Sequence, residues 1–289
     1  MSTPEPKKSP PKIFDRSLVS NRLTIKAKDS RDFITDLVCD DLFERLAPIS
    51  RKFENALILG PDAQLLPEKS NSAGGEISFE RLSTLVSAKV DAENLRLPKD
   101  DYDLIVSLLD LQVVNDVPGY LTNIHAHLAP DGLMIVAAIG GNSLGELRAA
   151  WLAADAEETG GAYARIAPFI DVRAAGSLLQ RAGFALPVAD IEHHLVRYKS
   201  PLSLMHELKA LGATNPLADR PKTLVTKRLL ATACAQYEAL SSDPDGRIRA
   251  TLEILWMSGW APHESQQKPL APGSAQVSLT KVLKGSDQD

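Results

Sequence analysis

Three short apolar runs constrain the fold of this chain more than any other feature. They cover residues 56–60, 102–109 and 133–139, and the first and last end in or run into glycine. A continuous apolar run bounded by turn residues is typical of a strand buried on both faces, as in a parallel sheet. A helix is predicted between the second and third runs. It begins after Asn115-Asp116, which can cap it, and stops at Pro130-Asp131-Gly132. This strand–helix–strand order predicts right-handed crossovers and a parallel α/β sheet.

The remaining segments extend this pattern with helices and two less apolar strands. Residues 30–53 show helical spacing of apolar positions, and residues 67–75 form a polar loop before a helical segment around Leu82 and Leu85. Two further helices are predicted at 202–211 and 224–240. Residues 191–198 and 251–260 mix polar and apolar side chains, which is typical of antiparallel strands near a sheet edge.

Length and charge exclude several classes of protein. The chain has 289 residues, which is ample for one large domain, and its formal net charge of -5 argues against a general nucleic-acid binder. Its two cysteines, Cys39 and Cys234, lie far apart, so we expect neither a disulfide nor a zinc site. This cysteine usage favours a reducing compartment. No apolar run is long enough to span a bilayer, so we expect no stable membrane insertion and a cytoplasmic protein.

Domain organisation is predicted from composition. Residues 1–12 are rich in Pro, Ser and Lys without an apolar core, which favours a disordered leader over a secretory signal. Residues 13–53 would form a helical arm, and 54–284 the main domain with a helical insertion at about 200–248. Residues 285–289 would be a tail.

A set of motifs extends from Ile13-Phe14-Asp15-Arg16 almost to the end of the chain. The set resembles the methyltransferase-type assembly factors of respiratory complex I and, more distantly, the carboxyl methyltransferase of biotin synthesis. The most specific motifs are the segment from Gly140 to Arg148 and the tail Trp260-Ala261-Pro262-His263-Glu264-Ser265-Gln266. The others are Val114-Asn115-Asp116-Val117-Pro118, Leu128-Ala129-Pro130-Asp131-Gly132-Leu133, Ala167-Pro168-Phe169, Gln180-Arg181-Ala182-Gly183-Phe184 and Pro272-Gly273-Ser274-Ala275.

This resemblance implies a fold, a cofactor and a partner. The fold is the Rossmann-like, seven-stranded class I methyltransferase sheet, finished by a C-terminal antiparallel hairpin. The cofactor is S-adenosylmethionine, and the partner or substrate is a protein, with a complex I subunit as the candidate. In the mitochondrial relatives the activity is arginine hydroxylation on a complex I subunit.

The loop that should hold the cofactor departs from the family's pattern. The family's loop is G-C-G-x-G, because the cofactor lies against bare backbone there, and this chain has Gly60-Pro61-Asp62-Ala63-Gln64. Pro61 removes a backbone donor. Asp62 is a candidate contact for the sulfonium or amino group, yet it would oppose the cofactor's carboxylate. We therefore predict that S-adenosylmethionine binding is weak or lost.

Other candidate cofactor contacts are retained by the resemblance. Glu76 matches the acid at the end of the second strand that would hold the ribose hydroxyls, and the alternative is a solvated loop acid. Asp91 and Ala92 match the segment that would meet the adenine, and the alternative is a turn cap. Leu109, at the end of the 102–109 run, completes the set.

Catalytic residues are poorly marked. His263 and Glu264 are weak candidates for an acid/base pair, although they can equally cap a turn. No metal site is predicted, because His125 and His127 are two apart on a helix and the neighbours His193 and His194 point to opposite faces of a strand. Two functions stay open. One is a cofactor-dependent enzyme that modifies a protein, and the other is a catalytically inactive, methyltransferase-like protein-binding or assembly module.

Overall fold

The computed structural model describes residues 12–25 and 32–266. Within this part of the chain there are seven α-helices: α1 (Arg16–Ile25), α2 (Phe33–Leu46), α3 (Val117–Ala126), α4 (Gly145–Thr159), α5 (Val172–Arg181), α6 (Pro201–Ala210) and α7 (Lys227–Ser241). The strands of the same part are β1 (Ala56–Gly60), β2 (Lys69–Ser72), β3 (Gly75–Ser83), β4 (Tyr102–Leu108), β5 (Leu128–Ile139), β6 (Ala185–Tyr198) and β7 (Ile248–Trp260). The predicted leader and tail lie outside the described residues, and the domain boundaries stay predictions.

All seven strands join one sheet in the order β2-β3-β1-β4-β5-β7-β6. Strands β3, β1, β4 and β5 run parallel, whereas β7 is antiparallel to both β5 and β6. The predicted Rossmann-like sheet of the class I methyltransferase plan, with its C-terminal antiparallel hairpin, is therefore confirmed. Helix α2 and helices α3 and α5 belong to separate apolar clusters, one on each face of the sheet.

Two predictions for residues 67–85 are wrong. The segment 67–75 is not a loop, because it contains β2 and the turn that leads into β3. Leu82 lies in β3, so the helical segment predicted around Leu82 and Leu85 is absent from the described structure. The cause is a short return path. Strand β2 carries the chain back to the amino edge of the sheet, so β3 runs parallel to β1 without a crossover helix between them.

The β2–β3 turn depends on close backbone packing. Gly74 lies so near Arg51 that a Cβ atom on it would be 2.2 Å from the Arg51 carbonyl oxygen. Gly75 has a φ of +124°, a conformation that other residues rarely adopt. The two glycines therefore allow a hairpin against the loop that follows α2.

The late elements agree with the sequence in type and differ in length. Strands β6 and β7 are longer than predicted, and α6 and α7 lie within three residues of their predicted ends. Asp116 caps α3, since its side chain accepts a hydrogen bond from the Gly119 N–H. None of the helices in the described ranges is long and apolar enough to cross a lipid bilayer.

Candidate functional site

The carboxyl ends of the parallel strands form the edge at which ligands bind in sheets of this type. Gly60 ends β1 and lies beside Ser83, the last residue of β3. Leu109 directly follows β4, and Ile139 ends β5. The fold thus brings the predicted residues Gly60, Asp62 and Leu109 to one edge.

Leu66 covers the bare backbone at the end of β1. A Cβ atom added to Gly60 would lie 2.9 Å from Leu66 Cδ2 and 3.1 Å from the Leu108 carbonyl oxygen. Leu66 is itself 5% exposed, so its side chain is packed into the core at this point. The space that a cofactor would use against Gly60 is therefore filled by the chain's own leucine.

The loop after β1 uses its polar groups internally. A single 3₁₀ turn, Ala63–Leu65, replaces a helix, and the Asp62 side chain caps it by accepting from the Gln64 N–H at 3.0 Å. The Pro61 carbonyl accepts from the backbone N–H groups of Leu85 and Val86. Without a helix after β1, the described structure presents no row of free N–H groups toward a ligand.

The placement of Glu76 at the end of the second strand is wrong. Glu76 is the second residue of β3, and its carboxylate accepts from Lys69 Nζ at 2.9 Å on the exposed hairpin. Seven residues separate it from Ser83, which corresponds to about 23 Å along an extended strand. The missing crossover helix is the reason, since the hairpin shifts Glu76 to the amino edge of the sheet.

Asp91 and Ala92 lie in a 3₁₀ turn whose polar groups are already paired. The Asp91 carboxylate accepts from the Glu93 N–H at 3.0 Å, which is the capping role left open by the sequence. The Glu93 carboxylate accepts from the backbone N–H groups of Asn115 and Asp116. Ala92 is 1% exposed and packs into the core.

An ion pair between Arg16 and Asp110, which no sequence pattern predicted, lies at this edge. Arg16 begins α1, and its guanidinium donates to Asp110 Oδ1 at 3.2 Å, with the Thr84 and Val113 carbonyls at 3.4 Å. Asp110 is fully buried, which raises the pKa of its carboxyl, while the positive charge of Arg16 acts in the opposite direction. Arg16 lies in the first motif of the family, but its partner is 94 positions away and carries no local signal.

An apolar cavity of about 280 Å³ is lined in part by Leu66 and by Val113, whose carbonyl Arg16 contacts. Leu109 lines this cavity. Its backbone has a positive φ of 55°, and its N–H donates to the Ala137 carbonyl. Gln112 also lines it. Its Nε2 donates to the Leu109 carbonyl, while its buried Oε1 finds no partner among the described residues. The aliphatic part of the lining includes Val38, Leu85, Val86, Ile139, Val196 and Leu252.

The residues of this edge do not fit S-adenosylmethionine. The backbone at Gly60 is covered by Leu66, Glu76 lies at the other edge, and the Asp91 carboxylate is engaged in its own turn. A nucleoside with a charged amino-acid group needs polar partners, because burying such groups without them costs several kcal/mol. The cavity offers mainly aliphatic side chains instead.

His263 and Glu264 do not belong to this site. They follow β7, whose last residue Trp260 pairs with Leu133, whereas Ile139 at the other end of β5 reaches the ligand edge. The six residues between Leu133 and Ile139 correspond to about 20 Å. His263 Nδ1 lies 2.7 Å from Ser265 Oγ, and this local turn explains its position without a ligand.

Comparisons with known proteins agree with this fold. A family model described as a methyltransferase domain matches residues 35–215. The protein named arginine-hydroxylase NDUFAF5, mitochondrial, is 32% identical in Danio rerio, with 94% of this chain and 90% of that protein covered. Its Homo sapiens counterpart is 34% identical, with 94% and 84% covered. A malonyl-[acyl-carrier protein] O-methyltransferase of Halorhodospira halophila is 33% identical over 65% of this chain and 62% of its own length.

The solved structures that this chain resembles have lower sequence identity to it than the relatives above. The YcgJ protein of Bacillus subtilis is 11% identical, with 79% of this chain and 99% of that chain covered and a TM-score of 0.45. A phosphoethanolamine N-methyltransferase 2 of Haemonchus contortus, solved with S-adenosyl-L-methionine, is 11% identical, with 86% and 57% covered and a TM-score of 0.39. The strand order described above, rather than these likenesses, identifies the fold.

Proposed function

We propose a function from the premise that this chain belongs to the methyltransferase domain family and, within it, to the methyltransferase-type assembly factors of respiratory complex I. The chain would be a protein-binding assembly module. It would act on a protein partner during complex I assembly without transferring a methyl group from S-adenosylmethionine. The family supports a protein partner, and the ligand edge supports the loss of the cofactor.

One observation carries the second half of this proposal. Leu66 packs on Gly60 at the position where the fold would need bare backbone for a cofactor. Displacing Leu66 from this position would expose a buried leucine side chain, which costs at most about 1.5–3 kcal/mol. Cofactor binding would have to offset that cost before it gained any net affinity.

The competing function is a cofactor-dependent enzyme that modifies a protein. The names of the relatives favour it, because both groups are named as enzymes. The two functions differ in whether the ligand edge is occupied. The cytoplasmic location predicted from the sequence stays a prediction, and the name of the Danio rerio relative places that protein in mitochondria.

Isothermal titration with S-adenosylmethionine and with S-adenosylhomocysteine separates the two functions. We expect no binding heat from the full chain up to millimolar ligand. A variant in which Leu66→Ala is combined with the Cys-Gly-Arg-Gly sequence in place of residues 61–64 tests whether space alone is missing. Micromolar binding by the unmodified chain, weakened by Asp91→Ala, would refute the loss of the cofactor.

A complementation assay tests the assembly role. In cells that lack this protein, complex I should fail to accumulate on native gels and should be restored by the unmodified chain. Asp62→Ala and Glu76→Ala should restore it equally well, since neither side chain would hold a cofactor. Normal complex I without the protein would refute the assembly role, and failure of well-expressed Asp62→Ala would favour the enzyme.

A further inference from the structure

We propose that Asp41, Glu192 and His194 form a binding site for one divalent transition-metal ion between α2 and β6. One ligand atom from each residue, a carboxylate oxygen or a histidine nitrogen, lies within 4.8 Å of the other two. The site includes neither Leu66 nor the Arg16–Asp110 pair, and it does not depend on the proposed assembly role.

The geometry of the strand and the helix explains why these residues meet. Side chains at alternate positions of a strand share a face, so Asp190, Glu192 and His194 project together from β6. Residues four apart on a helix are neighbours, which places Asp41 beside Arg45 on α2. Arg45 Nη2 contacts Asp190 Oδ1 at 2.7 Å and Glu192 Oε1 at 2.6 Å, so these two faces are packed against each other.

The strand alternation also separates the two adjacent histidines. His193 points to the other face and lies 3.2 Å from Glu253 on the neighbouring strand β7. The expectation that His193 and His194 do not share one ion agrees with this placement. The ligand partners of His194 come instead from the same face of β6 and from α2, which no local sequence pattern reveals.

Two of the three proposed ligand residues carry a buried polar atom. Asp41 Oδ2 and His194 Nε2 are shielded from solvent, and neither has a hydrogen-bond partner within the described part of the chain. A buried polar atom without a partner is unfavourable, so unpaired atoms that converge call for an explanation. A metal ion would satisfy both atoms at once. His194 Nε2 already lies 3.9 Å from Glu192 Oε2.

The local charge balance favours a doubly charged cation. Asp41, Asp190 and Glu192 are three carboxylates, and Arg45 is the basic residue that contacts two of them. If all three carboxylates ionise, two negative charges remain uncompensated in a partly buried interface.

The ligand set selects the class of metal. One imidazole and two carboxylates suit Zn²⁺, Mn²⁺, Fe²⁺ or Co²⁺, whereas Mg²⁺ prefers oxygen ligands and water. Zinc bonds of 2.0–2.1 Å place tetrahedral ligand atoms about 3.3 Å apart. The present separations of up to 4.8 Å would therefore have to shorten by about 1.5 Å at most, which side-chain rotations can supply. Three protein ligands leave the remaining coordination positions to water.

Titration of the metal-free full chain with ZnCl₂ tests the proposal. After chelator treatment and dialysis, we expect one Zn²⁺ per chain with a dissociation constant in the micromolar range or below. Asp41→Asn, Glu192→Gln and His194→Gln should each weaken binding at least tenfold. His193→Gln is the matched control, because it removes the adjacent histidine from the opposite face and should leave the affinity unchanged.

A second measurement starts from the unmodified chain. The unmodified chain loaded with Co²⁺ should show a visible d–d spectrum, and His194→Gln should change it while His193→Gln does not. Added ZnCl₂ should raise the thermal unfolding midpoint of the unmodified chain more than that of Asp41→Asn. Absence of Zn²⁺ and Co²⁺ binding at millimolar metal, or affinity lost with His193→Gln instead of His194→Gln, would overturn the site.

Discussion

The ion pair between Arg16 and Asp110 gives a quantitative test of how the N-terminal helix is held. The Asp110 side chain is 0% exposed and that of Arg16 is 11% exposed, so both charges are largely removed from water. Arg16→Met keeps most of the aliphatic stem and deletes the charge. The variant leaves the Asp110 carboxylate buried without its counter-charge.

The expected loss is about 3–5 kcal/mol in the free energy of unfolding at pH 7, which is the usual cost of removing one partner from a buried pair. The two carbonyl contacts of Arg16, both at 3.4 Å, are long and contribute at the lower end of the hydrogen-bond range. Urea unfolding followed by circular dichroism measures the loss. Lys52→Met, in the exposed Lys52–Glu54 pair, is the control and should leave the unfolding midpoint unchanged.

The pH dependence has a defined sign. Burial raises the folded-state pKa of Asp110 above its unfolded value, and removing Arg16 raises it further. The folded state therefore binds this proton more tightly than the unfolded state does. As a result, the contribution of this group to the free energy of unfolding becomes more favourable as the pH falls below 7. The deficit of Arg16→Met should therefore shrink as the pH falls from 7 toward 4.

A double variant isolates the cause. Combining Arg16→Met with Asp110→Asn removes the buried charge together with its partner and should recover a substantial part of the loss at pH 7. A deficit below about 1 kcal/mol for Arg16→Met, or one that is independent of pH, would refute the argument. Failure of Asp110→Asn to recover any stability would refute it as well.

Three further predictions concern packing, capping and a buried hydroxyl. Gly60→Ala should lower the free energy of unfolding by about 1–3 kcal/mol, because the added Cβ atom would meet the Leu66 side chain. A double-mutant cycle with Leu66→Ala, measured by urea unfolding, should show positive coupling between the two positions. Asp171→Ala removes the N-cap of α5, which accepts from two backbone N–H groups, and should cost about 1 kcal/mol in thermal unfolding while the exchange of those two amides accelerates. Tyr237→Phe deletes the hydrogen bond to the Arg249 carbonyl at 2.9 Å and should cost about 0.5–1.5 kcal/mol in guanidinium unfolding, and an unchanged midpoint would contradict this.

The buried strands could be identified from the sequence because their signal is local. Residues 56–60, 102–109 and 133–139 are continuous apolar runs, and each became part of a central strand. The hairpin of β2 and β3 gave no such signal. Its short, polar first strand resembles a loop, and its turn lacks the Asn-Gly or Asp-Gly pair that marks most tight hairpins.

The weakness of the cofactor site was also visible in part. The replacement of two glycines by Asp62 and Gln64, with Pro61 between them and Gly60, is written in the sequence, and so is the expected conflict with a cofactor. The sequence did not reveal that Leu66 folds back over Gly60. It also placed Glu76 at the wrong edge, because that assignment took residues 67–75 for a loop, whereas they contain the first strand of a hairpin that returns the chain to the amino edge.

The sequence by itself determined the class of fold, the order of most elements and the family, since these follow from apolar runs and motifs that are contiguous along the chain. Tertiary structure alone decided which polar groups meet. Asp110 finds Arg16 across 94 positions, and Asp41 on α2 approaches Glu192 and His194 on β6. Such encounters depend on strand order and helix packing rather than on neighbours in the sequence. The ligand edge is therefore shaped by Leu66, which covers Gly60, and by Arg16, which pairs with Asp110, as much as by the glycines that the chain has lost.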